Sequence, residues 1–106
     1  MAGISYLEGN ASFIGKINTD EFGQIYKKSL EKIKVNFSYS EKNENLSTGA
    51  SIIFITPDSE RTMCTYLGIS SQLSKNDIND EYIKNHEMIL LEGYLWDKGI
   101  SEEMFK

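Results

Sequence analysis

Arg61 is the only arginine in a chain whose other ten basic residues are lysines. An arginine's planar fork grips two oxygens of a phosphate or carboxylate at once, which a lysine cannot do. Beside Asp58 and Glu60 the same side chain can also form a plain surface pair, worth about 0–1 kcal/mol. Glu92 interrupts an otherwise apolar run, Met88–Trp96. A buried, unpaired carboxylate is costly, so either the run ends there in solvent or the carboxylate has a partner. Ligands of open α/β sheets gather at the C-terminal ends of strands, which makes Glu92 a candidate substrate contact.

The other reactive residue types are sparse. His86, the only histidine, has no cysteine or acidic partner at metal-ligand spacing and reads as a polar residue at a helix end. Cys64 is the only cysteine. It cannot form an internal disulfide, which points to a reducing, cytoplasmic compartment, and inside a strand it reads as a small apolar filler. Gly15-Lys16 lacks the upstream glycine and following Ser/Thr of a phosphate-binding loop. Asp20 reads as a helix cap rather than a ligand.

Alternating elements must position these residues. Met1–Leu7 reads as the last turns of a helix, with Gly9-Asn10 as its left-handed stop. Ala11–Ile17 is a short apolar strand expected to be buried on both faces. Asn18, Thr19 and Asp20 offer N-caps for a helix over Glu21–Lys34, whose Phe22, Ile25, Tyr26, Leu30 and Ile33 fall at helical spacing. Val35–Tyr39 alternates as a half-buried strand, and Glu41–Ser47 is polar loop. Gly49–Thr56 and Arg61–Leu67 flank the turn Pro57-Asp58-Ser59-Glu60 and form a β-hairpin ending at Gly68. Ser74 and Asp77 make a loose capping box before a helical stripe at Ile78, Tyr82 and Ile83. Met88–Trp96 reads as a second buried strand, and Asp97–Lys106 as the opening of a further helix.

This order predicts an α/β fold: a partial parallel sheet with helices, plus a small antiparallel hairpin. The chain's 106 residues suit a single domain, with the hairpin region, about 35–67, inserted in the α/β core. A net charge of −5 argues against nucleic-acid partners and anionic membranes. No apolar stretch approaches the roughly 20 residues of a membrane helix, and the start lacks the basic, apolar pattern of a signal peptide.

Several segments resemble the ribokinase-like (PfkB-type) carbohydrate and nucleoside kinases. Ala11–Gly23 (ASFIGKINTDEFG) is similar to the family's strand, Gly-Lys, acidic turn and helix. Thr48-Gly49 resembles its Thr-Gly lid strand. Pro57-Asp58-Ser59-Glu60-Arg61-Thr62-Met63 looks like its Pro-Asp-Gly-Glu-Arg-Thr-Met hairpin, with Tyr66-Leu67-Gly68 following. Glu92-Gly93-Tyr94-Leu95-Trp96-Asp97 matches the sugar and adenosine kinase branch. The family has Gly or Ala followed by two aspartates where this chain has Asn18-Thr19-Asp20, and Gly where it has Ser59.

The resemblance implies a Rossmann-like sheet with a β lid. It implies Arg61 as a lid arginine reaching phosphate oxygens, Glu92 as a holder of a sugar hydroxyl, and Thr48 and Gly49 as substrate-side lid residues. It implies ATP and Mg2+ as the intact enzyme's cofactors, with none expected on this chain. Phosphoryl transfer needs backbone donors, a metal site, a base and usually a cation, and here only the cation is found. The family's Gly-Gly-Ser-Ala-Ala-Asn segment and its Gly-Ala-Gly-Asp anion hole and base do not occur in the sequence, and nothing downstream of the resembling segments matches its magnesium-linked Asn-x-x-Glu. The expectation is therefore a fragment of an ATP-dependent sugar or nucleoside kinase, inactive as it stands. The alternative is a non-catalytic small-molecule-binding or oligomerisation module derived from that fold. Unpaired strand edges further predict a homo-oligomer through the lid or the core sheet.

Overall fold

Asp20 starts the longest element. Its extended backbone and its carboxylate, which accepts the Gly23 N–H at 2.8 Å, cap a helix over Glu21–Lys32. The computed structural model describes residues 1–38 and 45–94. In chain order these form α1 (Ala2–Tyr6), β1 (Ser12–Ile14), α2 (Glu21–Lys32), β2 (Asn36–Ser38), β3 (Ala50–Ile55), β4 (Arg61–Tyr66), two 3₁₀ turns (Gly68–Gln72 and Lys75–Asp77) and α3 (Asp80–Lys84). Helix α2 stops at Lys34, whose φ of 55° lets Lys34 N–H reach Glu31 and Val35 N–H reach Leu30. Those two bonds satisfy carbonyls that the helix end would otherwise leave open.

The stop turns the chain straight into β2, which pairs in parallel with β1 at the register Ser12↔Asn36, Phe13↔Phe37 and Ile14↔Ser38. This is a βαβ unit, with α2 as its crossover. Ala11, Leu30 and Val35 are its buried centre, with Phe13, Ile33 and Phe37 packed around them. Phe13 stacks on Phe37 at 5.5 Å, and Tyr26 meets both rings edge-on at 6.2 and 5.8 Å. The Ser5 hydroxyl donates to the Ile33 carbonyl and so ties α1 to the end of α2.

Strands β3 and β4 form a separate antiparallel hairpin, paired from Ala50↔Tyr66 to Ile55↔Arg61. Every residue of both strands is exposed. The hairpin therefore projects, and the radius of gyration of 15.1 Å exceeds the roughly 13 Å expected of a chain this long. At its tip the Ser59 N–H donates to the Thr56 carbonyl at 2.9 Å and the Thr56 N–H to the Glu60 carbonyl at 3.1 Å. Ser59 itself has φ 68°. This is a turn closed by one left-handed residue, a place where glycine is free of the Cβ penalty and serine is not.

The α/β class, the parallel pair, the hairpin, α2 and the Ser74–Asp77 capping box are as the sequence predicts. Four local readings change. β1 spans only Ser12–Ile14 and is half-buried, because all three residues line a cavity. The left-handed residue after α1 is Glu8, with φ 64°, and Gly9 is instead where an added Cβ would lie 2.8 Å from Ile4 Cγ2 and 3.2 Å from the Ile4 carbonyl oxygen. Residues 88–92 form no strand; a strand requires a hydrogen-bonded neighbour, and none of the described strands pairs with them. Cys64 is exposed rather than filling a core, since nothing described covers either hairpin face. Of the region 35–67, β2 pairs with the core, and antiparallel pairing begins at Ala50. Tyr39, the end of the apolar run at Leu95–Trp96, and the helix anticipated over Asp97–Lys106 lie outside the described residues.

Ser59→Gly relieves the left-handed serine and stabilises the hairpin by roughly 0.5–1 kcal/mol. Amide hydrogen exchange across β3 and β4 reads this directly. Slowed exchange is expected, and unchanged or faster exchange contradicts the assignment of strain at Ser59.

Candidate functional site

Thr48 is the buried root of the hairpin. Its hydroxyl donates to Asp20 Oδ1 at 2.6 Å and accepts the Asn18 N–H at 2.9 Å, while its own N–H donates to Asp20 Oδ2 at 2.7 Å. One carboxylate thus caps α2 and holds the first foot of the lid. Gly23 allows this closeness: a Cβ there would lie 1.9 Å from the Asn18 carbonyl oxygen and 2.9 Å from Thr48 Oγ1. Asn18 completes the knot by donating its side-chain amide to the Leu46 carbonyl at 2.8 Å and accepting the Thr19 N–H at 2.6 Å.

The second foot is Gly68, at φ 55°, where a Cβ would sit 2.2 Å from the Ser47 carbonyl oxygen. The next residue, Ile69, is fully buried, and its N–H donates to that same Ser47 carbonyl at 2.9 Å. Both feet of the lid are therefore pinned to one another as well as to the core.

Between the lid root and β1 lies a cavity of about 730 Å³. Thr48, Gly49 and Glu92 all line it, together with Ser12–Ile17 of the core and Met88–Leu91. Arg61 does not. It opens β4 opposite Ile55, exposed at the far end of the hairpin, and among the described residues no ion pair joins it to Asp58 or Glu60. Glu92 is exposed and lies outside any strand, so its carboxylate incurs no burial cost.

Two polar ties in the cavity wall are not evident from sequence spacing. Lys16 is buried and pairs with Asp77 at 3.6 Å, both side chains being at most 5% exposed, and it also reaches the Gln72 carbonyl at 3.4 Å. This ion pair links the stretch just after β1 to the segment that follows the hairpin. Asp77 announces itself only as a helix-cap residue, and nothing in the spacing couples it to Lys16. His86 follows α3, as its helix-end reading anticipates. Its Nδ1 lies 2.6 Å from the Tyr82 carbonyl and its Nε2 lies 2.7 Å from Ser12 Oγ.

The Asp20 carboxyl is held below its ordinary value near 3.8, chiefly by the Thr48 hydroxyl and further by the Thr48 and Gly23 N–H groups, with burial opposing. Among the described residues no group of three or more His, Cys, Asp or Glu could hold a metal ion.

A parallel βαβ core, a projecting antiparallel hairpin and a cavity at the hairpin's root define an α/β fold. The family model described as pfkB family carbohydrate kinase matches residues 1–106, and the chain belongs to this family. It is 32% identical to a 5-dehydro-2-deoxygluconokinase of Clostridium botulinum over 106 aligned residues, covering 95% of this chain and 31% of that protein. Among solved structures it superposes on an adenosine kinase from Sinorhizobium meliloti with a TM-score of 0.89 at 33% identity, covering 96% of this chain and 31% of that one. A probable sugar kinase from Rhizobium etli gives 0.88 at 32% identity, covering 97% of this chain and 31% of its own. The chain thus spans about a third of the length of the relatives it matches.

Asp20 stabilises the fold as a carboxylate. Because its folded value is depressed, that stability is complete above the unfolded value near 3.8 and is lost as pH falls through the lower folded value. The urea midpoint of the wild type is expected to fall on acidification through that range. Asp20→Ala lowers the unfolding free energy by about 1–2 kcal/mol at neutral pH, and the midpoint with it, and flattens this part of the pH dependence. An equally steep acid loss in the variant contradicts the role given to Asp20.

Proposed function

We propose that these residues form part of the substrate cavity and the lid of an ATP-dependent sugar or nucleoside kinase, a phosphotransferase acting on an alcohol group. The carrying observation is the convergence of Thr48, Gly49 and Glu92 on one cavity at the root of a projecting hairpin. The residues come from two distant parts of the sequence, and the cavity's volume of about 730 Å³ falls in the range of small-molecule sites. The relatives, a 5-dehydro-2-deoxygluconokinase, a probable sugar kinase and an adenosine kinase, favour the same class of substrate.

In this reading the Glu92 carboxylate accepts a hydrogen bond from a substrate hydroxyl. Thr48 and Gly49 set the height of the lid above it, since both are fixed by the Asp20 knot and the close approach to Leu67. Arg61, at the distant tip, reaches phosphate oxygens only when the lid bends over the cavity. ATP and Mg2+ supply the phosphoryl group and its charge neutralisation in the whole enzyme. The anion hole and catalytic base belong to sequence motifs absent from these residues, so the chain by itself has no turnover. A cytoplasmic setting agrees with the single unpaired cysteine, and no helix among the described residues is long and apolar enough to cross a membrane.

One observation favours an assembly role beside this. The hairpin exposes Ile52 at 64% and Phe54 at 56% on one face and Met63 at 60% on the other, apolar groups that a solitary chain would leave in water. In this reading the chain self-associates through the lid, and light scattering across a wide concentration range would give a mass that rises with concentration. A constant monomer would refute it.

The substrate reading is tested on the 106-residue chain with a panel of sugars and nucleosides. Coupled ADP release with ATP and Mg2+ is expected to stay at background, and turnover would show that the chain carries a phosphate site and a base of its own. Amide-resolved NMR is expected to show ligand shifts at Thr48, Gly49 and Glu92, lost in Glu92→Gln. Shifts elsewhere, or none with any ligand, would remove the cavity from the substrate path.

A further inference from the structure

Three residues in one short stretch after β1 hold both feet of the hairpin. Lys16 reaches the segment that follows the hairpin, at the Gln72 carbonyl and the Asp77 carboxylate. Asn18 and Asp20 hold the segment that precedes it, at the Leu46 carbonyl and at Thr48. The two attachments differ in kind. Asp20 grips the root itself, through bonds of 2.6 and 2.7 Å to Thr48, just before β3 begins. Lys16 stands 3.4 Å from the Gln72 carbonyl and 3.6 Å from Asp77, which lie past Gly68 and a 3₁₀ turn beyond the end of β4.

We infer that Lys16 is a positioning residue of the lid: its pair with Asp77 is a yielding tether on the trailing foot, and the lid swings about the Thr48 foot within the range this tether allows. The inference deepens the reading of the hairpin as a lid over a substrate cavity, and it rests on that reading. The bond from the Ile69 N–H to the Ser47 carbonyl closes the base of the hairpin, so its two strands move as one plate. Short hydrogen bonds make a fixed foot, because they weaken steeply as distance and angle open. Coulomb attraction falls off gradually with distance, so an ion pair holds its segment over a range of separations. Both side chains are at most 5% exposed, and salt screens such a pair little. The Asp77 carboxylate also accepts the N–H and the hydroxyl of Ser74, each at 2.9 Å, which makes the turn a firm bracket for Lys16.

The tether is also cavity wall. Lys16, Ser70, Leu73 and Ile78 line the cavity, as do Thr48 and Gly49 at the other foot. A shift of the trailing segment against β1 therefore changes the width of the cavity and the height of the hairpin together. In this role Lys16 acts on a bound ligand through the position of the lid.

Cys64, the only cysteine, is exposed on β4 and takes a nitroxide label directly. With a second label on Lys28→Cys, at an exposed position of α2, pulsed electron spin resonance reads the distance from lid to core. Dilution with unlabelled chain confines the signal to distances within one molecule. Lys16→Met/Asp77→Asn removes both charges at once and leaves Ser74 an amide oxygen to bond, so no lone buried charge remains. This variant is expected to widen the distance distribution about two-fold, with amides of Ser70–Ile78 exchanging about ten-fold faster and those of Gly23 and Thr48 unchanged. Asp77→Asn alone gives the same readout if the double variant does not fold. Lys75→Met, at an exposed lysine of the same turn, is expected to keep the wild-type width. A wild-type width without the ion pair overturns the inference, since a pair that only packs lowers the urea midpoint and leaves the lid where it was. Faster exchange at Thr48 overturns it too, because the lid would then loosen at the Asp20 foot. The distances are read without ligand, so ligand shifts at Thr48 and Glu92 test the substrate reading separately.

Discussion

The Asp20 carboxylate is the constraint on which the rest of the molecule depends. It accepts three hydrogen bonds, from Gly23, from the Thr48 hydroxyl and from the Thr48 N–H. Those donors belong to different levels of the structure: the first turn of α2 and the foot of the lid. An ionised acceptor makes such bonds roughly twice as strong as neutral ones. Core and lid share few other described contacts, so the orientation of the hairpin over the cavity is fixed largely at this one side chain and at the Ser47 carbonyl it helps to place. Asn18 and Gly23 serve the same junction, one by bridging to Leu46 and the other by having no side chain.

Much of the fold is legible because its signals are local. The cap, helical spacing and stop of α2 sit within a few residues of one another, and so do the turn and flanking strands of the hairpin. The capping box at Ser74 and Asp77 is likewise a contact across three residues. What escapes the sequence depends on partners far along the chain. Lys16 and Asp77 are 61 positions apart by their residue numbers and meet only in the folded wall. The apolar run from Met88 has the composition of a strand, but pairing is a property of two segments, and composition reports one. Gly9 and Glu8 exchange roles because a glycine can be needed for closeness as well as for a left-handed backbone. Of the site residues read from sequence, Thr48, Gly49 and Glu92 come together at the cavity, whereas Arg61 stands at the lid tip.

The molecule divides its apolar surface unevenly. Ala11, Leu30 and Val35 are enclosed by aromatic rings, and Ile69 is sealed at the lid foot. Against this, the hairpin and residues 88–91 leave large aliphatic groups in water. A chain of this size has little core to spare. Other exposed apolar groups lie at α1 and along α2, among them Tyr6, Leu7, Phe22 and Ile25.

The separation of the two sheets bears on the order in which the chain acquires its shape. The hairpin joins neighbours across a short turn, and such closures take on the order of 1–10 μs. The parallel pair must first bring Ser12 to Asn36 around the whole of α2, a non-local contact whose loop-closure entropy precedes its reward. The lid can thus exist as a hairpin before there is a core to stand on. The meeting of Thr48 with Asp20 is then the event that converts two independently formed pieces into a single cooperative unit.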